Sequence, residues 1–359
     1  MYCRNVLWIG VALVIAGCAT TPREAARNAG RNAGPKQEAW RGVHLGLGDR
    51  SDLPVLHKTI TEVLVPLGVN ALVLEVNYGY EFQSHPELSR KGAMTHDDAR
   101  ALAALCREQG VRLIPQFQCF GHQGGRPNVL LRNYPELMAP PNPNYDDPNH
   151  YQVSWNPLHP ETNEIVFALI DELIEAFQAE YFHVGFDEVM LFPDATTPYY
   201  NGETHAEVFA KAVNDLHGYV VGKRGLTMLM WGDRLIDLAE FPYNRYEASD
   251  NGTAPAIDLI PRDIILCDWH YSLRKDYASV QYFQQKGFRV WPSSWKSSAA
   301  TLALMDAAKT EATDRMIGHL CTTWCGIGPF YQAAVADKPA AGNDAERAAK
   351  AFKAAAAAW

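Results

Sequence analysis

From Trp40 onward the chain alternates short apolar runs, rich in β-branched and aromatic residues, with longer amphipathic segments about every 35 residues, and this alternation leaves few folds open. Eight runs read as strands: GVHLGL from Gly42, NALVLEVNY from Asn70, VRLIPQFQCF from Val111, YFHVGFDEV from Tyr181, LTMLMWGD from Leu226, DIILCDWHY from Asp263, FRVWPSSW from Phe288 and MIGHLCTTW from Met316. In the segment from Glu161, residues Val166, Leu169, Ile170, Leu173, Ile174 and Phe177 form one apolar stripe, while Glu164, Asp171, Glu172 and Glu175 fall elsewhere on the helix. The same period marks 56–67, 95–109, 205–223 and 279–286 as helical. Unbroken apolar triplets such as Ile264, Ile265 and Leu266 fit a parallel sheet covered on both faces. Eight βα units with short connections predict an α/β fold with a single (β/α)8 TIM barrel over 39–359. A doubly wound open sheet is the rival, but no GxGxxG turn follows the first strand. The Ala-rich tail from Ala345 reads as a C-terminal helix that closes the last unit or frays.

The segment before Trp40 has another character. After Met1 and Arg4, the stretch VLWIGVALVIAGC ends at Cys18, too short for the roughly 20 residues that span a bilayer. A basic start, a short apolar run and small residues before a cut site describe a secretory signal. The residues IAGC resemble a bacterial lipoprotein signal, so 1–18 is expected to be a leader whose removal leaves Cys18 to carry lipid. By the same resemblance Ala19 after the cysteine points to an outer membrane, with the protein facing the periplasm of a Gram-negative-type bacterium. Residues 19–38, small and polar, read as a flexible linker, so the membrane is met only through this N-terminal lipid anchor.

Excluding Cys3 and Cys18 leaves Cys106, Cys119, Cys267, Cys321 and Cys325, an odd number that argues against a full disulfide framework. Cys321 and Cys325 have no second pair at zinc-site spacing, so the five read as small buried apolar residues. With 32 basic against 41 acidic residues the formal net charge is −9, which removes nucleic acid as a partner. Nothing in the pattern signals an oligomeric state.

A barrel of this kind carries its chemistry at the C-terminal ends of the strands. Those ends collect Glu75, Asn77 and Tyr78; Gln116, Gln118 and His122; His183, Asp187 and Glu188; Trp231 and Asp233; Asp268, Trp269, His270 and Tyr271; and Trp295 and Trp324. Four indoles and several carboxylates at one rim suit a sugar, whose ring faces stack on aromatic surfaces while its hydroxyls need fixed polar partners. Asp187 and Glu188 can serve one site only where the strand stops and the backbone turns, because strand neighbours point to opposite faces. Placed together in different surroundings, such a pair can titrate apart, one charged and one protonated. The alternative reading is a solvated acidic pair capping the next helix.

HVGFDE (His183 to Glu188), following the helix that begins at PETNE, resembles the HxGxDE signature of glycoside hydrolase family 20, the β-N-acetylhexosaminidases. The likeness extends through NYGYEFQSHPELS, PQFQCFGHQ, NPLHPETNE and MWGD, covers roughly 40–330, and is nearest to the compact hexosaminidase D-like branch. It implies a retaining exo-β-N-acetylhexosaminidase that removes terminal β-linked GlcNAc or GalNAc, with an amino-sugar glycan as partner and no metal or organic cofactor. In that frame Glu188 is the general acid/base, Asp187 orients the 2-acetamido group and stabilises its developing charge, and Tyr271 bonds the acetamido oxygen. Substrate binding falls to His122, His183, Trp231, Asp233, Trp269, Trp295, Trp324 and Asn77. The acetamido oxygen itself is the nucleophile, giving an oxazolinium intermediate, an exception to the usual two-carboxylate route.

Two departures stand out. Gly46 occupies the place of an Asp in the family's strand-one pattern, with only Asp49 and Arg50 nearby, and Trp324-Cys325-Gly326 replaces the common Trp-x-Glu. The catalytic centre reads as intact and hydroxyl recognition as altered. Two other readings follow: a lipid-anchored glycan-binding protein on a catalytically impaired barrel, and a glycosidase using two enzyme carboxylates with Asp233 or Asp268 as nucleophile.

Overall fold

The computed structural model describes residues 38–123, 129–141, 153–336 and 342–359. The expected leader, the lipidated Cys18 and the linker up to residue 37 lie outside the described residues. Eight strands, β1 (Trp40–Gly46), β2 (Ala71–Glu75), β3 (Arg112–Cys119), β4 (Tyr181–Gly185), β5 (Thr227–Trp231), β6 (Ile265–Trp269), β7 (Arg289–Ser294) and β8 (Gly318–Thr322), pair in parallel and close on themselves, β1 lying between β2 and β8. These are the eight runs expected from the sequence, and the barrel is the expected one. A two-residue antiparallel ladder, Met138–Ala139 against Ser154–Trp155, lies outside it.

The outer helices are α1 (Leu53–Lys58), α2 (His96–Glu108), α3 (Pro160–Phe177), α4 (His205–His217), α5 (Ala278–Gln285), α6 (Ser298–Thr310), α7 (Ile327–Val335) and α8 (Asp344–Ala358). Their starts are written locally. Thr95 with Asp98 and Thr204 with Glu207 form reciprocal capping boxes on α2 and α4, and α3 opens with Pro160 in its first turn. The stripe expected on α3 is buried, with Val166, Leu169, Ile170, Leu173, Ile174 and Phe177 all in the core. Segments 56–67 and 205–223 end differently from the expectation: both finish in widened π-type turns, Thr59–Leu64 and Gly218–Lys223. The Ala-rich tail is a helix capped by Asn343 and Glu346 and buries Phe352, so it closes the last unit. The period-based reading left out α6 and α7; between β5 and β6 only short 3-10 turns replace a helix.

Inside the barrel alternate residues of each strand point to the axis. Trp40 and Trp291 meet edge to face at 5.1 Å and fill the lower end. Gly42 is required there, because a Cβ would collide with the Trp291 indole and the Leu320 methyl. Higher up the same inward positions become polar: His44 on β1, Gln116 and Gln118 on β3, His183 on β4. The described cysteines are unbonded, four buried and Cys325 half-buried, as small apolar residues would be. No helix among the described residues is long and apolar enough to cross a membrane.

Candidate active site

The strand ends on one rim share an unusual backbone. Asn77, Phe120, His122, Phe186, Glu188 and Trp324 all have positive φ, and they follow β2, β3, β4 and β8. Non-glycine residues in this region cost free energy and persist only where the surroundings enforce them, which makes the cluster a marker of a working site. After β4, Gly185, Phe186 and Glu188 have φ of 74°, 75° and 48°. This turn ends the strand alternation and brings Asp187 and Glu188 to one side, the condition the sequence argument required. Gly185 is needed twice over: its φ is left-handed, and a Cβ would collide with the Gln118 amide.

That amide is the first fixed point of the pair. Gln118 Nε2 donates to Asp187 Oδ1 at 2.7 Å, and His122 Nε2 lies 3.3 Å from Asp187 Oδ2 and 3.7 Å from Glu188 Oε2. Burial pushes the Asp187 carboxyl up, but the His122 charge and hydrogen bond and the Gln118 amide outweigh it and hold Asp187 below the usual carboxylate range. Burial and the neighbouring Asp187 charge push Glu188 the other way, up to about 7, against the pull of His122. Burial works against the imidazolium of His122, yet Asp187, Glu188 and Glu75 raise it to about 9. The three groups thus settle near neutrality as an anion, a cation and a half-protonated acid.

Asp187, Glu188 and His122 line a pocket of about 230 Å³ with Trp231, Trp269, Tyr271, Trp295 and Trp324. Four indoles and a phenol therefore form the wall opposite the carboxylates. Tyr271 stands 4.8 Å from the Trp269 ring and 5.3 Å from Trp295, and Trp231 lies 5.9 Å from Trp324. Trp324 Nε1 donates to Tyr271 Oη at 2.6 Å, which leaves the phenol's own proton to be given into the pocket. Trp295 Nε1 is held by the Thr323 carbonyl at 2.6 Å.

Three residues expected to touch substrate stand behind this wall instead. Asp233 is buried: its Oδ2 accepts from the Glu188 backbone N–H at 2.9 Å and from Arg234 Nε at 2.8 Å, and its Oδ1 from Trp269 Nε1 at 3.0 Å. It pins the acid's backbone and one indole at once. Arg234, fully buried, is in turn spent on three carbonyls, those of Arg245, Tyr246 and Ala248. Asn77 donates to Glu75 Oε1 at 2.7 Å and accepts from the Gln118 backbone at 2.7 Å, tying β2 to β3. His183 lies under the site, 4.7 Å from the Trp231 ring, and burial beside His44 keeps it neutral, with its pKa lowered to about 3.

The carboxylates considered as enzyme nucleophiles do not face the pocket. Asp233 is committed as described. Asp268 points outward from β6 into a buried cluster, accepting from Ser279 Oγ at 2.8 Å and facing His270 Nε2 at 3.1 Å. In that cluster His270 bridges Glu247 at 2.6 Å and Ser279 at 2.8 Å, and because the Ser279 hydroxyl donates to Asp268 the imidazole donates to Ser279 Oγ, in a network sealed from solvent. Its effect is to lock the segment from which Trp269 and Tyr271 project. Gln118 is among the strand-end residues of the sequence reading but carries no role there, its period-2 spacing from Gln116 being the available signal; Arg234 carries none beyond its place after Asp233. Among the described residues no cluster of His, Cys, Asp and Glu is arranged to hold a metal ion.

Residues 72–324 match the family described as glycosyl hydrolase family 20, catalytic domain. Similar proteins include a lacto-N-biosidase of Bifidobacterium bifidum, 26% identical over 228 residues, covering 61% of this chain and 18% of that protein. A β-hexosaminidase of Emericella nidulans is 25% identical over 231 residues, covering 59% of this chain and 35% of that protein. The chain thus spans less than half the length of these curated relatives. Among solved structures, a β-N-acetylhexosaminidase superposes with a TM-score of 0.60 at 16% identity, covering 91% of this chain and 76% of the other. The Flavobacterium johnsoniae chitobiase gives 0.59 at 17%, covering 88% and 48%. At such identities the superpositions speak for the barrel alone.

Proposed function

This chain belongs to glycosyl hydrolase family 20, and from that premise we propose that it is a retaining exo-β-N-acetylhexosaminidase acting by substrate assistance. The observation that carries the reading is the Asp187–His122–Glu188 cluster, an anion and a proton donor sharing one imidazole at 3.3 and 3.7 Å, facing an aromatic wall. A terminal amino sugar stacks on the indoles with its acetamido group between Asp187 and Tyr271. Asp187 accepts the acetamido N–H and Tyr271 Oη donates to the acetamido oxygen, which turns that oxygen toward C1. As the oxygen forms its bond to C1, the glycosidic C1–O bond breaks and its electron pair goes to the leaving oxygen. Glu188, protonated near neutral pH, gives its proton to that oxygen. The positive charge left on the oxazolinium ring lies against the Asp187 carboxylate. Water then attacks C1, Glu188 takes its proton, and the acetamido oxygen is released; two inversions give net retention. Asp233 and Asp268, the two carboxylates considered as enzyme nucleophiles, face away from the pocket.

The test is hydrolysis of 4-nitrophenyl β-N-acetylglucosaminide, β-N-acetylgalactosaminide and β-glucoside by protein lacking the first 18 residues. Cleavage of an acetamido sugar without the glucoside is expected, and equal cleavage of the glucoside would defeat the mechanism. Binding of these sugars without turnover would favour the glycan-binding alternative. For the intact chain the proposal includes lipidation of Cys18 and an outer-membrane position, supported by the IAGC leader. Release of the protein into the soluble fraction by Cys18→Ala supports it, and unchanged fractionation contradicts it.

A further inference from the structure

The rim carries a second polar feature that the chemistry above does not use. Gly42, His44 and Gly46 are alternate residues of β1 and point into the barrel: a Cβ on Gly42 would meet the interior Trp291, and the His44 ring lies 5.8 Å from Trp231 and 4.5 Å from Trp324. Around Gly46, at the top of this face, a Cβ would meet nothing within 4 Å among the described residues. The gap is bordered by Glu75, paired in register with Gly46 across the β1–β2 ladder. Glu75 keeps 21% of its side chain exposed, and its Oε2 is 3.4 Å from His44 Nε2.

Beneath the gap the barrel holds polar atoms that the protein does not satisfy. His44 and Gln116 are fully buried, and neither ring nitrogen of His44 nor either amide atom of Gln116 has a hydrogen-bond partner among the described residues. Buried polar groups are normally paired, so these atoms make the interior directly under Glu75 polar where a barrel core is usually apolar. A sugar's hydroxyl edge, offering a donor and an acceptor at each oxygen, suits the partly exposed Glu75 carboxylate above them. At the ends of β1 and β8, Gly46 and Gly326 offer no side chain to that edge.

We propose that the hydroxyl edge of the bound amino sugar enters the gap over Gly46 and is read by Glu75. The inference rests on the hexosaminidase reading and adds a specificity determinant to it. Glu75 accepts from a hydroxyl, while His44, buried beneath it, positions the Glu75 carboxylate from 3.4 Å.

The experiment measures kcat/KM for 4-nitrophenyl β-N-acetylglucosaminide and its 3-, 4- and 6-deoxy analogues with the wild type, Glu75→Gln and Gly46→Val. The wild type is expected to lose about 100-fold or more on at least one deoxy analogue, because its reader is then left unpaired. Glu75→Gln should lose a comparable factor on the parent sugar and nothing further on that analogue. Gly46→Val, whose side chain fills open space in a strand, should raise KM at least tenfold with an unchanged melting temperature. An equal loss on all four sugars with Glu75→Gln, or an unchanged KM with Gly46→Val, overturns the proposal while turnover stands. Folded wild type that turns over neither these four nor 4-nitrophenyl β-N-acetylgalactosaminide would bring down the hexosaminidase reading itself.

Discussion

The two arcs of the barrel rim solve different problems. Along β4, β5 and β6 the groups around the acid are tightly committed: Asp233 accepts three hydrogen bonds, Arg234 feeds three carbonyls, and His270 bridges Glu247 and Ser279. Along β8, β1, β2 and the neighbouring part of β3 a glycine leaves open space, and His44 and Gln116 have unsatisfied polar atoms. The first arc is preorganised without substrate, as a site must be if it is to stabilise developing charge without rearranging. The second keeps open space at Gly46 beside the partly exposed Glu75. A catalytic centre tolerates little variation in its supports, whereas a recognition edge changes with the sugar it reads.

Breaking the first arc should cost most. Glu188→Gln keeps the shape of the acid and removes its proton, so kcat on an aryl N-acetylglucosaminide should fall by about 10²- to 10⁴-fold with the fold intact by circular dichroism. Undiminished turnover would show that another group is the acid. Asp233→Ala leaves the buried Arg234 without its counter-charge and frees the Glu188 backbone; a loss of about 3–5 kcal/mol in denaturant unfolding is expected. A change below about 1 kcal/mol would mean that Asp233 is not the pin described.

The electrostatics sharpen the contrast. The proposed mechanism requires Asp187 ionised and Glu188 protonated, so kcat/KM should decline as pH rises through about 7, where Glu188 loses its proton. The His122 cation lowers both carboxyl pKa values. His122→Gln removes it, and both limbs of the profile should move to higher pH. Unmoved limbs would detach His122 from the pair. The smallest effect belongs to the open arc: Gly46→Ala meets no atom and removes backbone freedom from the unfolded chain, so stability should hold or rise by about 0.4–1 kcal/mol. Gly185→Ala, at positive φ against Gln118, should lose stability in the same melts.

The barrel was legible because its signal is periodic. Strand runs of alternating or continuous apolar residues and the α3 stripe are local patterns, and a closed sheet follows from eight of them. Helices α6 and α7 were missed because their small residues, Ala300, Ala308, Ala333 and Ala334, bury surface without a strong contrast between faces. In the site, Asp187, Glu188, His122 and the indoles could be read off the strand ends, since reactive and stacking side chains announce themselves. Asn77, His183 and Asp233 were placed at the rim by position but point into its supports, because orientation at a strand end depends on the turn that follows. Gln118 acts on Asp187, 69 residues away, and Arg234 on carbonyls 11 to 14 residues further on, relations that neither strand nor helix periodicity encodes.

The central claim is that the substrate's own acetamido oxygen attacks C1, with Asp187 and Tyr271 holding it in place. It is tested most directly by kcat/KM across aryl glycosides carrying N-acetyl, N-fluoroacetyl, N-difluoroacetyl and N-trifluoroacetyl groups. Each fluorine withdraws electrons from the carbonyl oxygen without altering the leaving group. A steep, monotonic fall along the series is the predicted result. A flat series, with the parent sugar still turned over, would contradict the account and return the search to an enzyme nucleophile.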